Sequence, residues 1–414
     1  MSKVPAGWSE DIFGNVMSFK NGLNFTKSDS GETIKIVGVG DFKDYSELRN
    51  TQHLEFIQVA NKIREEELLK DGDLLFVRSN GNKNLIGRCL FFPFVNERLS
   101  YSGFTIRGRV DSNKVLPEYA SYLSRSSSVK EQINQNGGGT NISNLSQQIL
   151  NDIEFLRPTL PEQTKIAQIL SIWDKAIATT EKLIGNSQQQ KKALMQSLLT
   201  GKKRLPGFEG EWKTHQLAKM GKIVSGGTPD TNNPQFWDGD ILWMTPTDVT
   251  ALKTKYIKNT SRKITKIGVQ ESSAKAIPAG SLLVCTRATI GLMSISSTEI
   301  TTNQGFKNLV PNEKFNVEFL YFLFSFYKKY FIRYACGSTF LELSKKDFEK
   351  LEFSCPLYTE QQKIAAVLTA ADNEIELLQK KLAFLKQEKA ALMQQLLTGK
   401  RRVKIDTTEE CMDA

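Results

Sequence analysis

The sequence predicts an α+β chain: two mixed α/β globules separated by two long helices that form an antiparallel coiled coil, an internal duplication with pseudo-twofold symmetry. Three observations predict it. Residues 158–204 recur as residues 356–402 at a constant offset, without a gap and with nearly half of the positions identical. Each copy keeps one apolar seam along its whole length. The stretch before each copy mixes short strand-like and helix-like runs. A chain of 414 residues has room for two or three domains.

The first globule is expected over 1–157. The runs Ile34–Val39 and Leu74–Val77 read as strands and Glu118–Ser124 as helix. The first long helix follows over 158–204. Its positions 166, 170, 173, 177, 180, 184, 187, 191, 194 and 198 step by 4 and 3, the mark of a coiled-coil seam. Gly201 ends it as a helix-terminating glycine in a basic tail. The second globule spans 205–355, with strand-like Ser281–Thr286 and helical Val317–Tyr327. The second long helix covers 356–402 and ends at Gly399, leaving a tail over 403–414. Lys191 and Lys389 occupy matching seam positions, where a buried charge is costly unless it is paired, reaches solvent, or meets a partner where the seam splays.

The globules repeat one another more loosely. Trp8 and Trp212 match and read as core anchors. Asp71–Leu75 parallels Ala279–Leu283, Ile86-Gly87 parallels Ile290-Gly291, and Gly103-Phe104 parallels Gly305-Phe306. The offset drifts between these pairs, so the loops differ in length. The two seams are free to pair in either direction. An antiparallel pair relates the globules by a pseudo-twofold axis, a local symmetry that duplex DNA shares, and twofold-related readers meet the duplex about one helical turn apart or a multiple of it.

Composition narrows the function. Lys plus Arg exceed Asp plus Glu by a formal net charge of +10, which makes polyanions natural partners. Five cysteines at irregular spacings, with two histidines, assemble neither a zinc pattern nor a disulfide framework. The opening MSKVPAGW lacks the apolar stretch of a signal peptide, and the apolar run Phe319–Tyr327 is about half a membrane span, so a cytoplasmic chain without a membrane partner is expected. Asn233-Pro234-Gln235-Phe236 lacks the second proline of an amino-methyltransferase clamp, and Gly38-Val39-Gly40 lacks the third glycine of a nucleotide turn. No phosphate-binding P-loop occurs. Catalytic, metal and cofactor sites are therefore expected to be absent from this chain.

Binding rests on charge and polar loops. From Ala251 to Gln270 the basic residues are Lys253, Lys255, Lys258, Arg262, Lys263 and Lys266, with no acid among them. Tyr256, Asn259, Thr260 and Ser261 lie between them as possible phosphate donors. After the strand Leu74–Val77 come Arg78, Ser79, Asn80, Asn82 and Lys83, residue types that match base edges. The corresponding loop offers Thr286, Arg287 and Thr289. Turns at Gly137–Asn144, with Thr140 and Asn141, and at Gly337–Thr339, with Ser338 and Thr339, suit backbone approach to phosphate.

The pattern resembles the specificity subunit of Type I restriction–modification systems over essentially the whole chain. The resemblance is carried by Pro158, Gln163 and Lys165-Ile166-Ala167 and by their second copy at Pro356, Gln361 and Lys363-Ile364-Ala365. Ala193–Gln196 with Leu198–Lys202, and their repeat, carry it further, as do Ser225-Gly226-Gly227-Thr228-Pro229 and the stretch 337–344. The first globule departs from it, with Asn21-Gly22-Leu23-Asn24 where the second has the Gly-Gly-Thr-Pro turn. The resemblance implies two target-recognition domains, each reading half of a bipartite, asymmetric sequence in double-stranded DNA, with Thr228 among the contacts. It implies that the helices set the spacing and dock two DNA methyltransferase (modification) subunits, with Glu162, Gln163, Lys165, Glu360, Gln361 and Lys363 at the docking positions. It further implies restriction/translocase subunits, with S-adenosylmethionine, ATP and Mg held by those partners. The rival readings are a coiled-coil scaffold that binds only proteins and a self-contained methyltransferase.

Overall fold

The computed structural model describes residues 4–26, 29–43, 45–60, 62–136, 144–335 and 341–405. The fold is mixed α+β, with two long helices, Leu160–Leu198 of 39 residues and Tyr358–Leu397 of 40. The chain divides into two compact units, Met1–Glu181 with Lys381–Ala414, and Lys182–Lys380. Each unit takes one globule and a share of both helices.

In the first unit a four-stranded antiparallel sheet has the order Met17–Asn21, Thr105–Val110, Leu74–Val77, Cys89–Phe91. A second sheet sets Glu32–Val37 between antiparallel Phe56–Val59 and parallel Leu99–Tyr101. Ser9–Ile12 pairs with Glu154–Arg157 where the globule closes. The helix Pro117–Ser124 buries Tyr119, Ala120 and Leu123 in one core with Leu74, Phe76 and Ile106 of the sheet. Ile166 and Leu170 of the first long helix and Leu396 of the second complete that core.

The second unit has the same strand order with one strand added. Gly221–Ser225, Phe306–Pro311, Leu282–Cys285, Met293–Ser296 and Tyr256–Ile257 form one sheet. Trp237–Met244 lies between antiparallel Arg262–Ile264 and parallel Thr301–Thr302, and Lys213–Gln216 pairs with Glu352–Cys355. The apolar run beginning at Phe319 belongs to helix Val317–Phe326, where Phe319, Phe322 and Leu323 join a core with Leu282, Val284 and Leu309. Apolar residues on a helix face and on alternating strand positions are removed from water together, the main force behind both elements.

The seam positions read from the sequence are buried or half-buried throughout both long helices. Within the first unit, Asp174 pairs with Lys389 at 2.5 Å and Glu181 with Lys386 at 2.7 Å. Within the second, Lys191 pairs with Asp372 and Ser187 Oγ donates to Glu374 Oε1 at 3.2 Å.

 In each unit, then, the partner's number falls along one helix as the residue number rises along the other. Both lysines are thus paired inside their own unit, and each stands over an aromatic ring, Lys389 over Tyr122 and Lys191 over Phe322. Gly201 and Gly399 end the helices with φ of 69° and 68°, a left-handed turn that a side chain would strain. Gly399 also packs on Pro5 and Trp8, and Gly201 on Trp212. Among the described residues, no helix is long and apolar enough to cross a membrane.

Candidate nucleic-acid interface

The polar loop of the first unit leaves the sheet at Val77. Its first residue is locked on both sides: Arg78 N–H donates to Phe104 O at 2.8 Å, and Leu145 N–H to Arg78 O at 2.7 Å. The Arg78 guanidinium donates to Asn144 Oδ1 at 3.3 Å and lies 3.5 Å from Gly103 O. Asn80 Oδ1 accepts from Asn82 N–H, and Asn82 Oδ1 accepts from Asn84 N–H, so two side chains that match base edges also shape the turn. Asn82 caps the short helix Lys83–Leu85, and Lys83 is exposed on it.

Ser79 and Asn80 line a recess of about 750 Å³ with Phe25, Gly38, Asp41, His53, Glu55 and Phe104. His53 Nε2 is 3.6 Å from Asp41 Oδ1. Phe104 is 62% exposed at its edge. Carboxylates here can accept amino protons, and a phenyl ring can meet a methyl group or a base face. The residues come from five separate stretches of chain, so no spacing in the sequence signals them.

In the second unit the glycine turn is set by close packing. A Cβ on Gly226 would lie 1.9 Å from Asn303 O, and one on Gly227 would lie 2.3 Å from the Ser273 carbonyl carbon, so only glycine fits. Thr228, half-buried beside them, donates to Gln304 Oε1. Trp243 Nε1 donates to Gly227 O and Trp237 Nε1 to Asp230 O, each at 2.9 Å, which staples the turn to a pair of buried indoles. No sequence signal singles out those two tryptophans, because their partners are backbone carbonyls.

The basic stretch does not act as one face. Lys253, Lys258, Arg262 and Lys266 are exposed and Lys263 is half-buried. Lys255 is turned inward. Its Nζ donates to Thr369 Oγ1 at 2.5 Å, lies 3.3 Å from Glu318 and stands over Phe322, which removes it from any phosphate-facing set. Thr260 is buried and donates to Arg262 O, while Ser261 N–H donates to Asp248 Oδ1 at 2.8 Å. Burial would raise the Asp248 pKa, but the hydrogen bonds from Ser261 and Thr245 outweigh it and hold the carboxyl below its ordinary value.

The loop after Leu282–Cys285 divides in the same way. Thr286 is fully buried and its hydroxyl donates to Gly305 O at 3.1 Å, a structural role. Arg287 is exposed but paired with Glu342 at 2.5 Å. Thr289 is half-buried behind it. Thr140, Asn141, Ser338 and Thr339 lie outside the described residues.

At the starts of the long helices, four of the six expected docking residues face inward. Glu162, Gln163, Glu360 and Gln361 are at most 2% exposed. Gln163 accepts from Leu116 N–H at 2.8 Å and donates to Lys114 O and Pro158 O. Gln361 does the same with Asn316, Lys314 and Pro356. Each glutamine therefore ties a long helix to the start of a globule helix. Glu162 accepts from Trp8 Nε1 at 2.9 Å and pairs with Arg402 at 2.7 Å, while Glu360 takes both its bonds from Arg204 at 2.6 Å. A buried carboxylate persists only with such partners. Lys165 and Lys363 are the exposed members of the six.

Comparison with known proteins shows the family. The model of the Type I restriction modification DNA specificity domain matches residues 65–186 and 209–387, well over half of the chain. The MjaIX specificity subunit of Methanocaldococcus jannaschii is 38% identical over 40% of this chain and 39% of its own length. The putative MjaX specificity subunit of the same organism is 26% identical over 98% of this chain and 96% of its own. A chain from a structural study of complex assembly and conformational transition of the type I R-M system shares the fold, with a TM-score of 0.64 at 19% identity over 97% of this chain and all of that one. With two matched segments and a full-length likeness in fold, this chain belongs to the Type I restriction–modification DNA specificity family, and it serves as a specificity subunit in DNA target recognition.

Proposed function

We propose that the chain is a two-headed reader of double-stranded DNA, each globule reading one half of a bipartite, asymmetric sequence, with the two long helices paired antiparallel as spacer. One observation carries this reading. The two units share strand order, glutamine ties and glutamate clasps, yet differ in the loops that leave equivalent strands. A common frame with divergent loops is the arrangement expected of two sequence readers. The domain limits follow as 1–157 and 205–355 for the readers, 158–204 and 356–402 for the helical segments, and 403–414 for the tail.

The base-facing set comprises Arg78, Ser79, Asn80, Asn82 and Lys83 in the first globule, and Thr228, Arg287 and Thr289 in the second. Lys253, Lys258, Lys263 and Lys266 take phosphates, which position a protein on the duplex without reading it. The outer faces of the helices dock two modification subunits. Ile172 and Phe384 in the first unit, and Leu183 and Leu377 in the second, are large apolar side chains left 45–68% exposed. Lys165 and Lys363 flank the helix starts. Adenine methylation with S-adenosylmethionine, and ATP- and Mg-dependent restriction, belong to the partner subunits.

The test is an exchange of residues 1–157 for the first globule of another family member. Mapping of methylated adenines should show one half of the recognised sequence changed and the other retained. A change in both halves, or in neither, rejects the modular reading.

A further inference from the structure

One cation in the basic stretch is held unlike the others. Arg262 lies opposite Trp243 in the antiparallel register of Arg262–Ile264 with Trp237–Met244. Its guanidinium carbon is 3.7 Å from the Trp237 ring centroid and 5.5 Å from that of Trp243. The indoles meet edge to face, 4.9 Å apart at 85°. Their N–H groups are bonded to Gly227 O and Asp230 O, so the platform under Arg262 and the glycine turn form one braced body. On the chain side, Ser261 is anchored on Asp248. Arg262 is nevertheless exposed, and among the described residues no carboxylate pairs with it.

The other two arginines singled out from the sequence differ. Arg287 is neutralised by Glu342, and Arg78 is tied to Asn144 and Gly103. A phosphate contact needs charge but no fixed plane, and the exposed lysines of the same stretch supply that charge. A guanidinium stacked on an indole keeps its planar fork in one orientation and loses little freedom when it binds. Within a DNA site both a phosphate and the guanine edge can take such a fork; the neighbouring lysines already serve phosphates, and the base edge that takes it is guanine, whose O6 and N7 accept two parallel hydrogen bonds in the major groove.

We propose that Arg262 is a base-reading residue of the second globule, specific for guanine, with Trp237 and Trp243 as its positioning residues. This rests on the target-recognition reading of the chain. The sequence places Arg262 among phosphate-contacting cations; the indole stack gives it a different task.

The full chain, assembled with its modification subunits, is used to select from a duplex DNA library randomised over the site, as wild type and as Arg262→Lys, Arg262→Gln and Trp237→Phe. The wild type should select guanine at a position that Arg262→Lys relaxes, with discrimination there falling about 10- to 100-fold. Other positions should keep their preference, and the lysine variant should keep the salt dependence of binding. Trp237→Phe should weaken discrimination at that same position only. Base preference unchanged in all variants, or a uniform loss across sequences with a shallower salt slope for Arg262→Gln alone, overturns the proposal and leaves a phosphate contact or none. A wild-type complex that selects no sequence overturns the target-recognition reading itself, and this proposal with it.

Discussion

The glutamate clasps show how one residue type solves the same burial problem twice with different partners. In the first unit Glu162 divides its oxygens, Oε2 to Trp8 and Oε1 to Arg402. In the second, Arg204 takes both oxygens of Glu360, and Trp212 Nε1 is left buried without a hydrogen bond. Replacing Glu162 by Ala strands both a half-exposed arginine and a buried indole N–H. The expected cost is about 2 kcal/mol, read as a lowered urea midpoint. Burial also pushes three thiols up, Cys89 and Cys355 to about 12 and Cys285 to about 11. At pH 8 they carry almost no thiolate, so alkylation of the native chain followed by mass spectrometry should leave these three unmodified. At this scale the sequence was a poor guide. The resemblance implied docking positions at Glu162 and Glu360, but a repeated motif cannot tell a shared internal tie from a shared docking face.

Elements were more legible, because periodicity reports which face of a helix leaves water. The 4–3 seam of each long helix is its protected face, and the terminating glycines sit where they were expected. What the pattern could not supply was the partner of each seam lysine: Asp174 and Asp372 are matched repeat positions, but which residue they face depends on the direction and register in which the helices pair. Exchanging the charges as Lys389→Asp with Asp174→Lys should restore most of the stability that either change removes alone, and thermal melts of the four proteins measure this. Leucine at both 191 and 389 should leave the methylated sequence unchanged, because neither lysine lies on a loop. The loop carrying Ser261 and Arg262 has its own control in Asp248. Its folded pKa lies below the unfolded one, so its contribution is present above the unfolded pKa and is lost as pH falls through the folded value. Acid titration of Asp248→Asn should lack that component.

For the molecule as a whole, basic composition becomes a measurable slope. Substituting Gln for Lys253, Lys258, Lys263 or Lys266 should lower the salt dependence of DNA binding by about one unit for each that touches phosphate, with base preference intact. In the first unit, Arg402 also donates to Ala6 O at 2.9 Å, and Gly399 rests on Pro5 and Trp8. Unbroken chain joins the equivalent residues Gly201, Arg204 and Trp212 in the second unit. A short peptide bridging the tail after Arg402 to Ala6, with new termini opened between Lys202 and Gly210, would exchange the covalent joint and the non-covalent one. Such a rewired polypeptide should fold and read the same DNA, its order of heads reversed along the gene but not in space.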